Sequence, residues 1–287
     1  MIAIRAPVFF AFLRVLCVFA LRCRGLDRNA SRPMAGDKGV NAKFAKVNRE
    51  NAKKGKLGKW KESTNLSLIL VTFLFGLIID QHGGLAGQLA LSVWAWGLFF
   101  WLLKTSPGEW RLPLYACLVW ATAGEIFLSL VWGLYTYRLE NVPLFIPPGH
   151  VLLFYVGLVL APRVPRVFVV LVPATAVSYA ALAWVNGFDT VSIPLIVLFI
   201  VCMLQPEGRR LYAVMFIAAL MAEVYGTWIG NWVWHPDVPY LGLNSANPPL
   251  AAGAFYCALD VLVGLTVRGL LRLRRESSLP QLTAQTT

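Results

Sequence analysis

Two carboxylates isolated in apolar segments are the residues of this chain whose type and setting could do chemistry. Glu125 is the only charged residue in positions 112–137, and Glu223 is the only one in positions 211–236. A carboxylate inside a membrane span is energetically costly and marks a functional-site hypothesis by default. An acid that loses its hydration among apolar groups is favoured in its protonated form and can act as a general acid. We therefore take both glutamates as candidate catalytic residues.

The same sequence pattern follows each glutamate. It consists of a Gly-x-aromatic-x-aromatic motif, then a proline, then a double proline. The first copy is Gly133, Tyr135, Tyr137, Pro143 and Pro147-Pro148, and the second is Gly230, Trp232, Trp234, Pro239 and Pro248-Pro249. This recurrence predicts an internal duplication that places the two glutamates in matching helices.

The composition indicates a membrane protein. Hydrophobic residues make up 58% of the 287 residues and charged residues 14%, whereas soluble domains carry about 25% charged residues. The apolar runs do not alternate as the strands of an outer-membrane barrel would. They recur at about 65–80, 85–103, 112–133, 149–161, 167–185, 190–206, 211–230 and 250–267. We therefore predict an all-α, polytopic transmembrane bundle of about eight spans.

Eight spans divide into two units of four. An even number per unit gives both halves the same direction of insertion, which is a parallel 4+4 repeat. The predicted units are residues 63–161 and 162–268, followed by a basic cytoplasmic tail over 269–287. A site shared by the two halves is then expected near the axis that relates them.

The segment before the first span is basic and carries one apolar stretch. Residues 7–21 could form a signal peptide, but cleavage there would export the Lys-rich residues that follow, so an interfacial helix fits better. The composition of residues 35–62 predicts disorder, and residues 1–62 form a basic cytoplasmic segment. Because Met34 is an alternative start, it stays open whether residues 1–33 belong to the native protein.

The net charge of +12 arises from basic residues whose positions match the predicted topology. Basic residues cluster in alternate loops, at Lys38 to Lys61, Lys104 and Arg111, Arg163 and Arg166, Arg209 and Arg210, and Arg268 to Arg275. The opposite loops hold one basic residue, Arg138. This asymmetry predicts a cytoplasmic membrane protein with both termini in the cytoplasm. Attraction to anionic lipid accounts for the basic tail, so no nucleic-acid partner is expected.

Further polar residues are expected on the outer side, near the glutamates. His82, His150 and His235, the only histidines, all fall there, and His150 is the third candidate catalytic residue. Arg138 either contacts lipid headgroups or pairs with Glu140 or Asp237. Asp260 is a third intramembrane acid, which we include among the candidate substrate-binding residues although a structural role is open. Since no close ligand pair or phosphate-binding loop is present, we expect no metal and no cofactor.

These residues could together hydrate a lipid-soluble alkene. A protonated glutamate would donate to an alkene carbon, and water from the outer side would complete the reaction. The aromatic faces of Tyr135, Tyr137, Trp232 and Trp234 could stabilise the cation formed. Arg138 and His235 also belong to the predicted substrate-binding set. An interfacial aromatic belt would explain the aromatic residues alone.

The first motif resembles the membrane hydratases of carotenoid biosynthesis, namely the gamma-carotene and bisanhydrobacterioruberin hydratases. The resemblance lies in Glu125, in Gly133-Leu-Tyr135-Thr-Tyr137, and in Val142-Pro143-Leu-Phe-Ile-Pro147. The stretch from Trp232 through Tyr240-Leu-Gly242-Leu to Asn247 is similar to a later part of that family. This chain departs from the family in reading IFLSLVW before Gly133 and Gly149-His150 after the Ile-Pro-Pro. The resemblance implies a lyase that acts on an isoprenoid-like lipid, with Asn247 in its substrate site.

Two other classes of function remain open. Duplicated halves with intramembrane acids also suit a proton-coupled small-molecule transporter. In a non-catalytic membrane scaffold, Glu125 and Glu223 would serve only as polar contacts between helices. The sequence predicts the lipid bilayer and a hydrophobic small molecule as partners, and it leaves the substrate and the oligomeric state undetermined.

Overall fold

The computed structural model describes the backbone of residues 61–283 and the side chains of residues 61–274. The chain divides into two compact units, Met1–Leu68 and Ile69–Thr287. Residues 61–68 of the first unit are helical, and the second unit is a helical bundle. The predicted interfacial helix at 7–21 and nearly all of segment 35–62 lie outside the described residues. The predicted tail is helical as far as Thr283.

Six helices in the described part of the chain are long and apolar enough to cross a membrane. They are Lys61–Thr105, Gly108–Val131, Ile146–Arg163, Phe168–Val185, Arg209–Ile229 and Leu250–Arg274, and a shorter apolar helix spans Ser192–Met203. This confirms the predicted class, an all-α bundle with the helices of a multi-pass membrane protein. The α-helical parts are labelled α1 (Leu77–Thr105), α2 (Gly108–Glu125), α3 (Ile146–Leu160), α4 (Phe168–Val185), α5 (Ser192–Met203), α6 (Arg209–Ile229) and α7 (Gly253–Thr283).

The chain reverses direction within α1. Gly84 has φ 57° and ψ −147°, a conformation that interrupts the helix and that glycine adopts without steric cost. Trp94 Nε1 donates a hydrogen bond of 2.8 Å to Thr72 Oγ1, 22 residues earlier. In a straight helix these residues would be about 33 Å apart, at about 1.5 Å per residue. The segments on either side of Gly84 therefore form a helical hairpin.

Helix α7 packs against α2, α5 and α6. A close approach of α7 to α6 explains Gly253 at its start, because a Cβ there would lie 2.3 Å from the carbonyl oxygen of Phe216. Helix α3 packs between α2 and α6. The helices that carry Glu125 and Glu223 thus both contact α3 and α7.

Short strands follow both glutamate-bearing helices, and the sequence did not predict them. Strands β1 (Tyr135–Tyr137) and β2 (Trp232–Trp234) pair antiparallel. A second pair, β3 (Asp237–Val238) and β4 (Leu243–Asn244), lies in the loop after β2. The motif glycines Gly133 and Gly230 precede β1 and β2 with φ 75° and 86°. Glycine adopts this left-handed conformation readily, which allows the chain to leave each helix and enter a strand.

Candidate functional site

The β1–β2 pair aligns the two Gly-x-aromatic-x-aromatic motifs. Tyr135 is opposite Trp234 and Tyr137 is opposite Trp232, with ring centroids 4.8 Å and 6.0 Å apart. The backbone bonds from His235 N to the Leu134 carbonyl and from Arg138 N to the Asn231 carbonyl flank these positions. The four aromatic residues therefore occupy the non-hydrogen-bonded positions, where cross-strand side chains approach most closely. All four are buried on one face of the pair.

Tyr135 and Tyr137 bind the first glutamate through their hydroxyl groups. Both hydroxyls donate to Glu125 Oε2, at 2.9 Å from Tyr135 and 2.6 Å from Tyr137. The other carboxyl oxygen, Oε1, lies 3.3 Å from His150 Nε2. Glu125 is 6% exposed, so its predicted burial is confirmed. The two tyrosines of β1 thus bind one oxygen of the carboxyl group and leave the other to His150.

Trp232 and Trp234 bind the second glutamate in the same manner. Their indole Nε1 atoms donate to Glu223 Oε2 at 2.8 Å and 3.0 Å. Glu223 Oε1 lies 3.1 Å from the hydroxyl of Tyr256 on α7. This glutamate is 7% exposed, so its burial is also confirmed. In both carboxyl groups, Oε2 therefore accepts hydrogen bonds from the strand that follows the glutamate-bearing helix. Oε1 contacts a residue near the start of the next helix.

The two carboxyl systems meet at a stacked pair of rings. The rings of His150 and Tyr256 lie 4.8 Å apart with an interplanar angle of 8°. His150 contacts Glu125, and Tyr256 contacts Glu223. The structure thereby brings the three predicted catalytic residues, Glu125, Glu223 and His150, into one cluster. Tyr256 completes it.

Hydrogen-bond chemistry locates one proton in this cluster. His150 Nδ1 lies 3.0 Å from the carbonyl oxygen of Ile146, which can only accept, so Nδ1 carries a hydrogen. An unprotonated Nε2 facing an unprotonated Glu125 Oε1 would place two lone pairs against each other. The contact therefore holds one proton, on His150 as imidazolium or on Glu125 as carboxylic acid.

The same reasoning restricts where Glu223 can be protonated. Indole N–H groups only donate, so Glu223 Oε2 accepts from both tryptophans and has no place for a proton. Any proton on this carboxyl group is on Oε1, facing Tyr256. The exchangeable protons of both glutamates therefore lie on the side of the stacked rings.

A small apolar cavity borders the stack. Its volume is about 60 Å³, and its lining includes His150, Tyr256 and Trp232 together with apolar residues of α1 and α3 such as Leu91 and Leu153. Since one water needs roughly 10–15 Å³ of such space, the cavity has room for a few waters or a small apolar group. Tyr135, Tyr137 and Trp234 are not among the lining residues. Of the four predicted aromatic residues, only Trp232 faces this space.

Burial changes the acid–base behaviour of the two strand tyrosines. Burial first, and the charge of Glu125 second, raise the pKa of Tyr135 and Tyr137 well above the usual value for tyrosine. Both hydroxyls therefore stay protonated across the physiological pH range. They serve as permanent hydrogen-bond donors to Glu125.

Arg138 belongs to a separate polar cluster beneath the strands. Its Nη2 atom lies 3.4 Å from Asp80 Oδ1 and donates to the Asp80 carbonyl oxygen at 2.5 Å. Asn231 donates to Asp80 Oδ2 and to the carbonyl oxygen of Leu77. The predicted pairing of Arg138 with Glu140 or Asp237 is therefore replaced by a pairing with Asp80. This cluster connects β1 and β2 to the first arm of the helical hairpin.

The remaining predicted site residues lie outside the glutamate cluster. His235 is exposed, and its Nε2 lies 2.7 Å from Thr136 Oγ1 on the outer face of the strands. Asn247 Oδ1 accepts from the backbone N–H of Trp234, so it fixes the position of β2. His82 is exposed near the reversal at Gly84. Asp260 is buried one helical turn beyond Tyr256 on α7.

Sequence reasoning missed Tyr256 and Asp80. Tyr256 follows the second double proline as His150 follows the first, and this correspondence was the available signal. It was obscured because His150 comes two residues after its double proline and Tyr256 seven. Asp80 is 58 residues from Arg138, and no sequence periodicity connects them.

Comparison with known proteins finds no matching family model, no matching curated protein and no matching solved structure.

Proposed function

We propose that this protein is an integral membrane enzyme that hydrates an alkene of an isoprenoid-like lipid. The observation that carries the proposal is the 3.3 Å contact between Glu125 Oε1 and Nε2 of His150, a residue that lines an apolar cavity. A proton donor next to an apolar cavity suits a substrate that has no polar group at its reacting end. The resemblance of the first motif to carotenoid hydratases supports the isoprenoid class.

The reaction needs only an acid, a water molecule and a base. The Glu125–His150 pair donates its proton to one alkene carbon, and the positive charge develops on the neighbouring carbon. Water forms a C–O bond to that carbon and returns one proton to the pair. The product is an alcohol that is one water heavier than the substrate, and the enzyme is unchanged. No metal, nucleotide or oxidant enters this balance.

Other members of the cluster would stabilise the cation. Trp232 presents its ring to the cavity, where an aromatic face attracts positive charge. The carboxyl group of Glu223 lies behind Trp232 and Tyr256 and adds a favourable electrostatic contribution when ionised. A cavity of about 60 Å³ admits the end of a lipid, whose remaining length would lie in the bilayer.

The finer architecture belongs to the same proposal. The reversal at Gly84 supports two crossings within Lys61–Thr105, and Ser192–Met203 with flanking residues supplies another, for eight in all. The matching bonds of Glu125 to β1 and of Glu223 to β2 support a parallel repeat over 63–161 and 162–268. The basic loops support a cytoplasmic location for both termini.

Comparison of lipid extracts tests the proposal. Cells that make the protein should contain an isoprenoid lipid one water heavier than its precursor, and cells with Glu125→Gln or His150→Phe should not. Glu109→Gln is the matched control, because Glu109 is exposed at the other end of the same helix and should leave conversion intact. Lipids that are identical with and without the wild-type protein would overturn the hydratase assignment and favour a transporter or a scaffold.

A further inference from the structure

Asp260 differs from the other buried acids of the bundle. It is 4% exposed, and neither carboxyl oxygen has a hydrogen-bond partner among the described residues. Asp80 accepts from Asn231 and pairs with Arg138. Asp189 accepts from two side-chain hydroxyls and two backbone N–H groups, those of Tyr179, Ser192, Ala246 and Leu250. Asp80 and Asp189 therefore both receive hydrogen bonds from the protein, whereas none of the described residues donates a hydrogen bond to Asp260.

The surroundings of Asp260 contain weakly polar groups. Within electrostatic range are Cys117 on α2, Cys202 on α5, Tyr212 on α6 and Cys257 on α7 itself. Arg268 lies two turns further along α7 and interacts electrostatically with Tyr212. Within the described residues it forms no ion pair with Asp260. Leaving an isolated ionised carboxylate in such surroundings costs far more than binding a proton. A carboxyl group placed here therefore takes up a proton.

Asp260 also has a defined position relative to the glutamate cluster. It follows Tyr256 by four residues on α7, so the two side chains share a helix face with Cβ atoms about 5–6 Å apart. The hydroxyl of Tyr256 contacts Glu223 Oε1. Tyr212 lies three residues after α6 begins at Arg209, at the end of that helix remote from β2. Asp260 is therefore on the side of Tyr256 that faces away from the strands.

We propose that Asp260 is a second proton-binding site, which exchanges protons with Glu223 through the hydroxyl of Tyr256. Protons would then reach the carboxyl cluster from the basic, Arg209-bearing end of the bundle as well as from the strand side. Tyr256 is a positioning and relay residue in this scheme, since its hydroxyl contacts Glu223 and its ring stacks on His150. The inference concerns proton binding alone and stands whether or not the substrate is an isoprenoid.

Infrared spectroscopy of the purified protein at neutral pH tests the proton-binding site. The wild type should show a carbonyl stretch of protonated carboxylic acid that includes a contribution from Asp260, and the difference spectrum between the wild type and Asp260→Asn should show the loss of that contribution. Asp260→Glu should retain a band at a shifted frequency, which guards against loss by misfolding. Asp237→Asn is the control, because Asp237 is exposed and should leave the band unchanged. A spectrum of Asp260→Asn identical to that of the wild type would overturn the assignment.

The link to Glu223 is tested by transfer of the same protein into D₂O. The Asp260 band should shift as the acid exchanges its proton for a deuteron. In Tyr256→Phe the hydroxyl that links the two acids is missing, so the exchange should be slower by about tenfold. This factor corresponds to the free energy of roughly one hydrogen bond. Exchange at the wild-type rate in Tyr256→Phe would exclude the relay while leaving Asp260 as a proton-binding group.

Discussion

The ring of His150 lies parallel to the ring of Tyr256, 4.8 Å away, at the point where the hydrogen bonds of the two glutamates meet. One ring contacts Glu125 and the other contacts Glu223. Each residue lies near the start of the helix that follows a double proline. Two separate stretches of sequence therefore contribute corresponding halves of a single cluster.

The stack should contribute to stability independently of the hydrogen bond to Glu223. Tyr256→Phe retains the ring and removes one hydroxyl, so it should lower the free energy of unfolding by about 1 kcal/mol. Tyr256→Leu also removes the stack and should cost roughly 0.5–1.5 kcal/mol more. Thermal unfolding in detergent measures both changes, with Tyr240→Phe as the exposed control. Equal stability of the Phe and Leu variants would show that the stack contributes nothing.

Gly226 provides the space for the ring of Trp232, one of the two indoles that bind Glu223. A Cβ at this position would lie 2.0 Å from Cη2 of Trp232. Gly226→Ala should displace the indole from the carboxyl group and cost about 1–3 kcal/mol through overpacking. Gly124→Ala is the matched control, since a Cβ there meets no atom within 4 Å and a helical alanine is favoured over glycine. Thermal unfolding and lipid conversion should both decline in the first variant only.

The pairing of the two strands can be trapped covalently. Thr136 and Val233 are opposite each other on the exposed face of β1 and β2. They occupy a hydrogen-bonded position, where Cα atoms are about 5.5 Å apart, within the range a disulfide can bridge. In a background without native cysteines, Thr136→Cys combined with Val233→Cys should cross-link on mild oxidation. The two single-cysteine variants are the controls, and failure to cross-link would contradict the register.

The pairing of Arg138 with Asp80 should be important for stability. Arg138→Met leaves Asp80, which is 2% exposed, with Asn231 as its remaining side-chain partner. Removing one partner of a fully buried pair costs about 3–5 kcal/mol, and we expect about 2 kcal/mol because the Arg138 side chain is 20% exposed. Arg166→Met is the control at an exposed position. Combining Arg138→Met with Asp80→Asn should recover part of the loss, as a double-mutant cycle would reveal.

The two glutamates could be identified from the sequence because charged residues are rare in apolar segments, where their burial is energetically costly. The sequence also associated Tyr135, Tyr137, Trp232 and Trp234 with them through the repeated motif. It predicted that the faces of those rings stabilise a cation, and it gave no indication that their hydroxyl and N–H groups bind the carboxyl oxygens. Helical periodicity predicts which residues share one face of a membrane-spanning helix. It gives no information about three-residue strands such as β1 and β2, which follow the helices.

Contacts between distant parts of the chain were the least predictable. Arg138 had two acids nearby in sequence, yet its partner comes from the first helical hairpin. The pairing of β1 with β2 depends on how α2 and α6 pack around α3 and α7. That packing arises from side-chain shape, which a single sequence does not encode in any simple spacing.

Alkaline pH should destabilise the protein through Tyr135 and Tyr137. Burial and the charge of Glu125 raise the pKa of both hydroxyls, so they stay neutral in the folded protein at a pH where they ionise in the unfolded chain. Their contribution to stability is complete below the unfolded pKa of about 10 and is lost as the pH rises above it. The free energy of unfolding should fall less steeply above this pH in Tyr135→Phe/Tyr137→Phe than in the wild type. Tyr240→Phe, at an exposed position, should follow the wild type, and equal slopes for all three proteins would contradict the assigned burial of these hydroxyls.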